Sequence, residues 1–550
     1  MPLLMALCVV IGILIGTFYA NHFSGNRLNI INSGSSRLSN LLHIIDDQYV
    51  DSVNIDELVD KAIPEILSEL DPHSVYISAK DVQLATDDLK GSFSGVGIEF
   101  NIRQDTLRIQ NVIKDGPADK AGLLAGDKVV SINGKAFVGK DVTNEEAMHR
   151  LKGPKDSKVK IGVKRYGEKG VKMFTVTRGD IAVKSVSAAY MLNDTTGYIR
   201  IKNFGERTYA EMLAALQTLN IRGADHLVID LRDNGGGILE SAVQMSNEFL
   251  PKNRLIVYTQ GRKSPRVNYR SDGKGSYQHI PMVVLINEGS ASAAEIFAGA
   301  MQDNDRATIV GRRSFGKGLV QQQIQFNDGS LIRLTIARYY TPSGRCIQKP
   351  FKPGDNADYE NDILTRYQHG EFFSQDSIKH EGPAYHTVNG RTVYGGGGIT
   401  PDIFVPEDTS KVTSYYKEAV MSGLILQYAF NYTDSNRKKL SSLGELKPLA
   451  NYLEHQNLVG DFVNFAEKNG LRRRNLMIMR SHSLLQEYLN SRIIYNILDE
   501  QAWIEYVNRD DDAVKEAVKV FQTPSLLLLK PKQKSQKQSD SLHKTTTQRR

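Results

Sequence analysis

Residues 282–322 read MVVLINEGSASAAEIFAGAMQDNDRATIVGRRSFGKGLVQQ, and this stretch decides the fold around it. An apolar, β-branched run at 283–286 is followed by the turn residues 287–289 and then by apolar residues at helical spacing. That order predicts a strand, a tight turn and a helix. Ser292 lies at the turn, where a side chain is held out from the backbone and the helix N-terminus can stabilise developing negative charge.

Lys317 follows a second short predicted strand, 307–310, and lies between Gly316 and Gly318. The flexible glycines allow its amine to return toward the helix that follows Ser292. A serine hydroxyl is a weak nucleophile until a base takes its proton, and a lysine can do this only when it is neutral. Burial brings catalytic lysines from a pKa of about 10.4 to roughly 7–8. Ser292 and Lys317 are therefore the candidate nucleophile and base; the alternative is a helix cap and a solvated loop lysine.

A phosphate-binding loop is the competing interpretation of residues 311–317, which match the pattern GxxxxGK. The motif needs Ser or Thr at the next position to hold Mg²⁺, and this chain has Gly318 there. An alternating strand pattern follows, where the motif requires a helix. The sequence therefore disfavours nucleotide binding, and we expect dependence on no metal and no other cofactor.

The runs GSASAAEI (289–296) and FGKG (315–318), followed by Gln321, closely resemble the carboxy-terminal processing (tail-specific) peptidases. This is a family of serine endopeptidases. The resemblance implies that Ser292 is the nucleophile, Lys317 the general base, and Gln321 the residue that orients the lysine amine. The serine of the family lies between two alanines, so the resemblance points to Ser292 rather than to Ser290.

A glycine-rich loop, 232–237, follows the apolar run 227–231, which is typical of a buried parallel strand. The loop opens a predicted helix, and such turns suit anion binding. In the family, one N–H of the glycine pair and the N–H after the nucleophile form the oxyanion hole, which implies Gly236 and Ala293. Three consecutive glycines leave that register open by about one residue. Asp230 and Asp233 could form a carboxylate pair, but the sequence offers no partner histidine or metal-spaced cluster beside them, so the predicted role is salt bridging.

Residues 94–100, SGVGIEF, begin a segment that strongly resembles a PDZ domain, and it continues through the strand LRIQNVI and the run AGLLAGDKVVSING. Consecutive backbone N–H groups of Gly95, Val96, Gly97 and Ile98 can form a nest for a carboxylate, and the adjoining strand can pair with an extended peptide. The resemblance therefore implies capture of a polypeptide by its free C-terminus. A simple glycine hairpin is the alternative for the loop taken alone.

Residues 2–20 are uncharged and almost wholly apolar, about the length that spans a bilayer. A signal peptide is the alternative, but cleavage after Ala20 would put Phe18 where a small residue is preferred. We therefore favour an uncleaved anchor. Members of the resembled family work outside the cytoplasm. The resemblance thus implies that the catalytic domain lies on the periplasmic or extracytoplasmic side. Together with the anchor, this predicts a cell-envelope protein held in the inner membrane.

Composition argues against a disulfide-stabilised scaffold and against a nucleic-acid-binding face. The 550 residues include two cysteines, Cys8 in the apolar N-terminus and Cys346 far from it. The formal net charge is +7, but residues 526–550 hold seven basic residues against one acidic residue and account for +6 of it. This segment is rich in Lys, Gln, Ser and Thr, and we predict a disordered tail.

Together with the patterns above, the resemblance implies an α+β multidomain protein with a PDZ module, an α/β catalytic core of the ClpP/crotonase-like kind and a C-terminal helical region. Apolar stripes such as Ile493 and Ile494 indicate that the helical region packs on itself. Protein or peptide substrates are the expected partners, besides the membrane; a homo-oligomer or an adaptor protein stays open. A catalytically inactive PDZ scaffold of the same fold is the alternative function. The predicted domains are an anchor or signal sequence (1–21), N-terminal helices (22–82), the PDZ domain (83–180), the catalytic core (181–406), the helical region (407–525) and the tail (526–550).

Overall fold

The computed structural model describes residues 33–523, except 104, 114, 125, 140–141, 166–167, 355 and 381, together with 526 and 528. The chain forms two compact units, residues 1–71 and 72–550. None of the helices within these described residues is both long and apolar enough to cross a membrane. The predicted anchor, and almost all of the predicted tail, lie outside the described residues.

The first unit contains two described helices, α1 (Ser33–Gln48) and α2 (Ile55–Ser68). Asn54 caps α2, because its side chain accepts hydrogen bonds from the N–H groups of Asp56 and Glu57. Such a cap satisfies backbone donors that have no partner inside the helix. Asn54 thus fixes the start of α2.

The second unit begins with a short connection and a β-rich module. A five-strand path β3-β4-β5-β7-β8, with β6 on β5, forms the main sheet, and β2 pairs with β9. β3 is an edge strand of this sheet among the described residues. The elements are β1 (Val75–Ile77), α3 (Val82–Lys90), β2 (Ser92–Gly95), β3 (Ile98–Arg103), β4 (Thr106–Val112), α4 (Pro117–Ala121), β5 (Lys128–Ile132), β6 (Lys135–Ala136), α5 (Asn144–Leu151), β7 (Lys158–Lys164), β8 (Lys172–Thr177) and β9 (Gly179–Ala182).

An α/β core follows, and its central sheet has the order β10-β11-β12-β15-β16-β21. All neighbours in it are parallel except β10 and β11. The elements are β10 (Val186–Met191), β11 (Thr196–Ile201), α6 (Thr208–Ile221), β12 (His226–Asp230), α7 (Leu239–Phe249), β13 (Leu255–Gln260), β14 (Val267–Arg270), β15 (Met282–Ile286), α8 (Ala293–Asp303), β16 (Thr308–Gly311), β17 (Leu319–Gln325), β18 (Leu331–Tyr340), α9 (Ala357–Glu360), α10 (Asp362–Gln368), β19 (Ala384–His386), β20 (Thr392–Tyr394) and β21 (Ile403–Phe404).

The predicted strand, turn and helix are present as β15, residues 287–292 and α8. The alternating pattern after Lys317 forms strand β17, which pairs with β18 along its length as a hairpin. β18 also pairs with β1 and β13, so it joins the hairpin to a second sheet of order β1-β18-β13-β14. Lys317 lies two residues before β17, and Ser292 lies directly before α8.

Alternating side chains of the central strands pack on opposite faces of the sheet. Ile229 and Val284 belong to the cluster formed with α6, α7 and α8, which includes Phe297. Val228 and Val283 belong to a different buried cluster. Both faces are therefore covered, which is the condition under which parallel strands are apolar throughout.

The C-terminal region is helical, as the sequence predicts, and Ile493 and Ile494 lie in its core. It also contacts the β-rich module, because the ring of Phe430 fills the space over Gly126 that a β-carbon would occupy. The Tyr495 hydroxyl donates to the carboxylate of Glu99 on β3. The helices are α11 (Ser414–Met421), α12 (Leu424–Ser441), α13 (Leu446–Glu454), α14 (Leu458–Lys468), α15 (Asn475–Arg480), α16 (His482–Ile497), α17 (Glu500–Asn508) and α18 (Asp512–Gln522).

Candidate active site

Ser292 lies in the turn between β15 and α8, immediately before the helix. Its backbone has φ +54° and ψ −114°, and such strain costs a non-glycine residue about 1–3 kcal/mol and is common at functional sites. Ser290 is fully buried, and its hydroxyl donates to the Leu231 carbonyl at 2.7 Å and accepts from the Asn287 N–H at 3.0 Å. Ser290 therefore stabilises the turn, whereas the half-buried Ser292 lines a cleft.

Lys317 lines the same cleft, which has a volume of about 900 Å³. Its amine donates to Gln321 Oε1 at 3.2 Å, and Gln321 Nε2 donates to the His73 carbonyl. Gly316 has φ +91°, which permits the sharp turn before Lys317. The structure thus brings the predicted nucleophile, base and orienting amide to one cleft, and their chemical roles remain predictions.

Glu295, in the first turn of α8, connects the two candidate catalytic residues through their backbones. Its Oε2 accepts from the N–H of Ser292 at 2.8 Å and from the N–H of Lys317 at 2.9 Å. Its Oε1 accepts from the Ser314 hydroxyl at 2.5 Å and from the Gly316 N–H at 2.8 Å. One carboxylate therefore holds the turn of the serine and the loop of the lysine in a common frame.

Glu295 is not among the site residues that the sequence predicts. The pattern Ser-Ala-Ala-Glu at 292–295 is the S-x-x-E signature in which a glutamate returns to the N–H of the capping residue. That signal predicts the bond to Ser292 and nothing more. The partners at 314–317 lie about twenty residues further along the chain and become neighbours only through the fold.

Burial raises the pKa of Glu295 to about 7, and the hydrogen bonds from Ser314, Lys317, Gly316 and Ser292 limit that rise. Burial disfavours a charge, whereas donors that face a carboxylate favour it. Four donors on two oxygens suit the ionised form, which only accepts hydrogen bonds. Above neutral pH, where the carboxylate of Glu295 is ionised, all four donors therefore have an acceptor.

The glycine-rich loop lies against the serine turn. A β-carbon at Gly236 would lie 2.7 Å from Ser292 Cβ and 2.8 Å from the nitrogen of Ala293. The Asn234 carbonyl accepts from the Ala291 N–H at 2.8 Å. The N–H of Gly236, a predicted oxyanion donor, donates to Asn234 Oδ1 at 2.9 Å in this structure. The loop residue Gly236 thus lies beside Ala293, and the roles of both as oxyanion donors stay predictions.

Asp230 and Asp233 form ion pairs, as the sequence analysis favours. Asp230 is buried, which opposes ionisation, but attraction to Arg232 and hydrogen bonds hold its pKa below the usual range. Arg232 also pairs with Asp511 at 2.7 Å. Asp233 Oδ2 lies 3.4 Å from Arg200.

The cleft around Ser292 has apolar and charged parts. Ile238, Ile296, Leu319 and Ala337 contribute apolar surface. Its charged lining residues besides Lys317 are Lys90, Lys263, Arg333, Glu206 and Glu240. A polypeptide fits a cleft with such mixed surroundings, because alternating side chains of an extended chain point in opposite directions and meet different parts of the lining.

Helix α3 connects this cleft with the β-rich module. Thr86 and Lys90 line the cleft, while Asp87 forms a buried ion pair of 2.8 Å with Lys152, just beyond α5. Within the module, Val96 is buried and Gly97 has φ +77°. The predicted carboxylate nest at 95–98 lies directly before the edge strand β3.

Within the described part of the chain, Asp81, Glu145 and His149 form a group whose ligand atoms lie within 4.8 Å of one another. His149 Nε2 lies 3.2 Å from Asp81 and 3.8 Å from Glu145. The contact between His149 and Asp81 is a hydrogen bond beside α3 and α5. Independence from metal and cofactor stays a prediction.

Comparisons with known proteins identify three regions of this chain. Residues 195–359 match peptidase family S41, residues 94–176 match the PDZ domain, and residues 415–499 match a family of unknown function. The region that carries the predicted catalytic residues thus matches a peptidase family, and the region that carries the predicted carboxylate nest matches the PDZ domain.

Curated relatives extend these matches. A carboxy-terminal-processing protease of Bartonella bacilliformis is 39% identical over 319 residues, which cover 57% of this chain and 72% of the relative. The carboxy-terminal processing protease CtpB of Bacillus subtilis is 35% identical over 318 residues, which cover 57% of this chain and 65% of the relative.

A solved photosystem II D1 C-terminal processing protease is 28% identical and covers 57% of this chain and 90% of its own, with a TM-score of 0.33. The assignment therefore depends on the sequence matches alone. Because the Bartonella relative is matched at 39% identity over 72% of its length, this chain belongs to peptidase family S41, the serine-type carboxy-terminal processing proteases, and carries a PDZ domain.

Proposed function

We propose that this S41 peptidase cleaves protein substrates with Ser292 as nucleophile and Lys317 as general base, after its PDZ domain has bound their free C-terminus. The observation that carries the proposal is the shared carboxylate: Glu295 accepts hydrogen bonds from the backbone N–H groups of both residues. Both side chains also line one cleft. A nucleophile and a base held in one frame are the requirement of covalent acyl transfer.

In the proposed reaction, the neutral amine of Lys317 takes the proton of the Ser292 hydroxyl as its oxygen bonds to the substrate carbonyl carbon. The carbonyl oxygen becomes an oxyanion, which the Ala293 N–H stabilises. Lys317 returns the proton to the departing amine as the peptide bond breaks. Water then loses a proton to Lys317 as it attacks the acyl carbon, and Lys317 gives that proton to the departing Ser292 oxygen. The acyl group leaves as a carboxylic acid, and both Ser292 and the neutral amine are restored.

Gln321 has a positioning role in this proposal. Its oxygen accepts from the Lys317 amine, and its own amide is fixed by the His73 carbonyl. The lone pair of the neutral amine is thereby directed away from Gln321 and remains available to Ser292.

The full-length protein tests the assignment directly. Wild type should cleave an unstructured protein and react with a fluorophosphonate at Ser292, whereas Ser292→Ala and Lys317→Ala should lose at least about 10³-fold in kcat. Ser290→Ala should still be labelled at Ser292. A wild-type protein that is folded, binds peptide and is never labelled would instead support an inactive PDZ scaffold.

Recognition of the C-terminus is supported by the edge strand β3 and by Gly97, whose φ of +77° turns the loop before it. An added peptide strand pairs with such an edge while backbone N–H groups bind its carboxylate. Two fluorescent peptides of one sequence, one ending in a carboxylate and one in an amide, test this. We expect the amide to bind at least about tenfold more weakly, and equal binding would contradict carboxylate recognition.

For residues 1–21 we propose a membrane anchor, with the catalytic domain in the periplasm or otherwise outside the cytoplasm. The support is the uncharged, apolar composition of residues 2–20. The protein should stay in the membrane fraction after extraction at high pH, and added protease should digest it in spheroplasts with an intact inner membrane. Release by high pH, or protection from the protease, would contradict the anchor or the location respectively.

A further inference from the structure

Tyr339 on β18 connects the two proposed catalytic residues a second time. It is fully buried at the cleft wall. Its hydroxyl lies 3.0 Å from the carbonyl oxygen of Ser292 and also contacts the carbonyl oxygen of Lys317. Its backbone N–H donates to the Gly318 carbonyl at 3.0 Å. Glu295 thus binds the N–H groups of Ser292 and Lys317, and Tyr339 binds their carbonyls.

The Ser292 carbonyl belongs to the same peptide group as the N–H of Ala293. Because a peptide group is planar, fixing its oxygen also fixes the direction of its N–H. The Ser292 oxygen already accepts from the Ile296 N–H at 2.9 Å, the regular bond of the first helical turn. A second donor at that oxygen limits rotation of the peptide plane and polarises the N–H on its other side.

We infer that Tyr339 is a positioning residue that aims the Ala293 N–H at the reaction oxyanion and holds that N–H in a fixed position relative to the loop of Lys317. This inference rests on the proposed Ser292–Lys317 reaction and adds a residue to it. The phenol oxygen contacts the backbone carbonyls of both residues. It therefore acts through the backbone rather than on the substrate.

The hydroxyl is suited to this role because it stays protonated. Burial raises the pKa of Tyr339 well above its usual value, and the negative charge of Glu295 raises it further. One proton is shared between two carbonyl oxygens. A phenolate would repel both carbonyls, so the arrangement excludes Tyr339 as a proton acceptor in the reaction.

A buried tyrosine that only completes the core is the alternative explanation. Loss of a core hydroxyl would lower stability and leave the chemistry of the remaining folded molecules unchanged. Loss of an orienting bond would instead weaken binding of the transition state selectively. The two explanations therefore differ in how kcat, KM and stability change together.

The experiment compares Tyr339→Phe with Tyr340→Phe in the full-length protein. Tyr340 is the next residue of the same strand and stacks on Tyr258. Tyr340→Phe therefore makes the same chemical change outside the proposed catalytic machinery. Titration with a fluorophosphonate counts reactive sites, so kcat is expressed per competent molecule. A peptide aldehyde, which forms a tetrahedral adduct with serine, and the corresponding peptide alcohol serve as inhibitors.

For Tyr339→Phe we expect kcat to fall about 10- to 100-fold, less than the roughly 10²–10³ that follows removal of an oxyanion donor. KM and alcohol binding should change less than about twofold, and aldehyde binding should weaken by the same factor as kcat/KM. The acid limb of the pH profile should not move, and Tyr340→Phe should match wild type.

Wild-type kcat in Tyr339→Phe, or equal losses for the aldehyde and the alcohol, would overturn the inference. An unreactive wild type would instead refute the proposed function, which separates the two failures. If Tyr339→Phe yields no reactive sites, 3-fluorotyrosine at position 339 retains the hydroxyl and nearly the same volume while changing its strength as a donor. If the protein with 3-fluorotyrosine at position 339 has the kcat of wild type, the inference is overturned.

Discussion

Glycine at 236 is required by the distances around it. Its φ is +96°, and a β-carbon there would lie 2.7 Å from both the Ala291 carbonyl oxygen and Ser292 Cβ. Two of the atoms in the way belong to the backbone, at Ala291 and Ala293, and cannot move without displacing the serine turn. A methyl group at this position therefore acts on the geometry of the reactive turn.

We predict that Gly236→Ala lowers the rate of Ser292 labelling by a fluorophosphonate at least about tenfold, with a loss of stability of about 1–3 kcal/mol. Gly235→Ala is the matched control, because a β-carbon there meets no atom within 4 Å. Labelling rates and thermal unfolding measure the two effects. Equal labelling of both variants would contradict the prediction.

Glu295 adds a dependence of stability on pH. Its pKa in the folded protein is about 7, against 4.5 for the free side chain, so the folded state holds a proton that the unfolded state has lost between these values. Its contribution to the free energy of unfolding is therefore fully present below pH 4.5 and is lost as the pH rises to about 7.

Glu295→Gln removes this titration, so the variant should lose less stability than wild type between pH 4.5 and 7. Between these two pH values, the free energy of unfolding of wild type should fall by roughly 3 kcal/mol more than that of the variant. Hydrogen exchange of the α8 amides at several pH values, corrected for intrinsic rates, measures it. Parallel pH profiles for the two proteins would contradict the assignment, and Glu288→Gln in the same turn serves as the control.

At the scale of elements, α3 is the connection between the β-rich PDZ domain and the cleft. The carboxylate of Asp87 and the amine of Lys152 are 2.8 Å apart, with 5% and 10% of their side chains exposed. On the cleft side, the Ala85 carbonyl accepts from Arg333 at 2.8 Å. Breaking a buried pair leaves one charge without a partner. The free-energy cost of that unpaired charge exceeds the stability that the intact pair contributed.

We predict that Asp87→Asn destabilises the packing of α3 against the PDZ domain by about 3 kcal/mol and accelerates hydrogen exchange in both α3 and α5. Asp180→Asn breaks the exposed pair with Lys155 and should leave exchange unchanged, because exposed pairs contribute little. Unchanged exchange in the Asp87 variant would contradict this role of the ion pair.

At the scale of the molecule, the C-terminal helices are part of the catalytic core. Val514, Ala517 and Val520 of α18 are buried in one cluster with Val228 and Val283 of the central sheet. The pair between Arg232 and Asp511 joins the end of β12 to the start of the same helix. α18 thus covers the sheet face opposite α8.

We predict that Ala517→Asp, which buries an unpaired charge, lowers the free energy of unfolding by roughly 3 kcal/mol or more. Lys515→Asp introduces the same side chain on the exposed face of α18 and should have little effect. Thermal unfolding and the yield of fluorophosphonate-reactive protein measure the difference. Similar behaviour of the two variants would show that the helix does not complete the core.

The sequence alone determined the elements and the motifs, because those signals are local. The apolar run before Asn287, the turn and the helix after Ser292 predict their structure from neighbouring residues, and the hairpin of β17 and β18 follows from its alternation and its turn. The resemblance, confirmed by the family matches, then singled out Ser292 and Lys317.

Only the tertiary structure decided what these elements face. Periodicity reports that a helix side is apolar but not which surface it covers, so the packing of α18 on the central sheet had no signal. The bonds of Glu295 to residues 314–317 and of Tyr339 to Ser292 join segments that lie 19–22 and 47 residues apart in the chain. Such contacts depend on the path of the whole chain, and no pattern within a single segment encodes them.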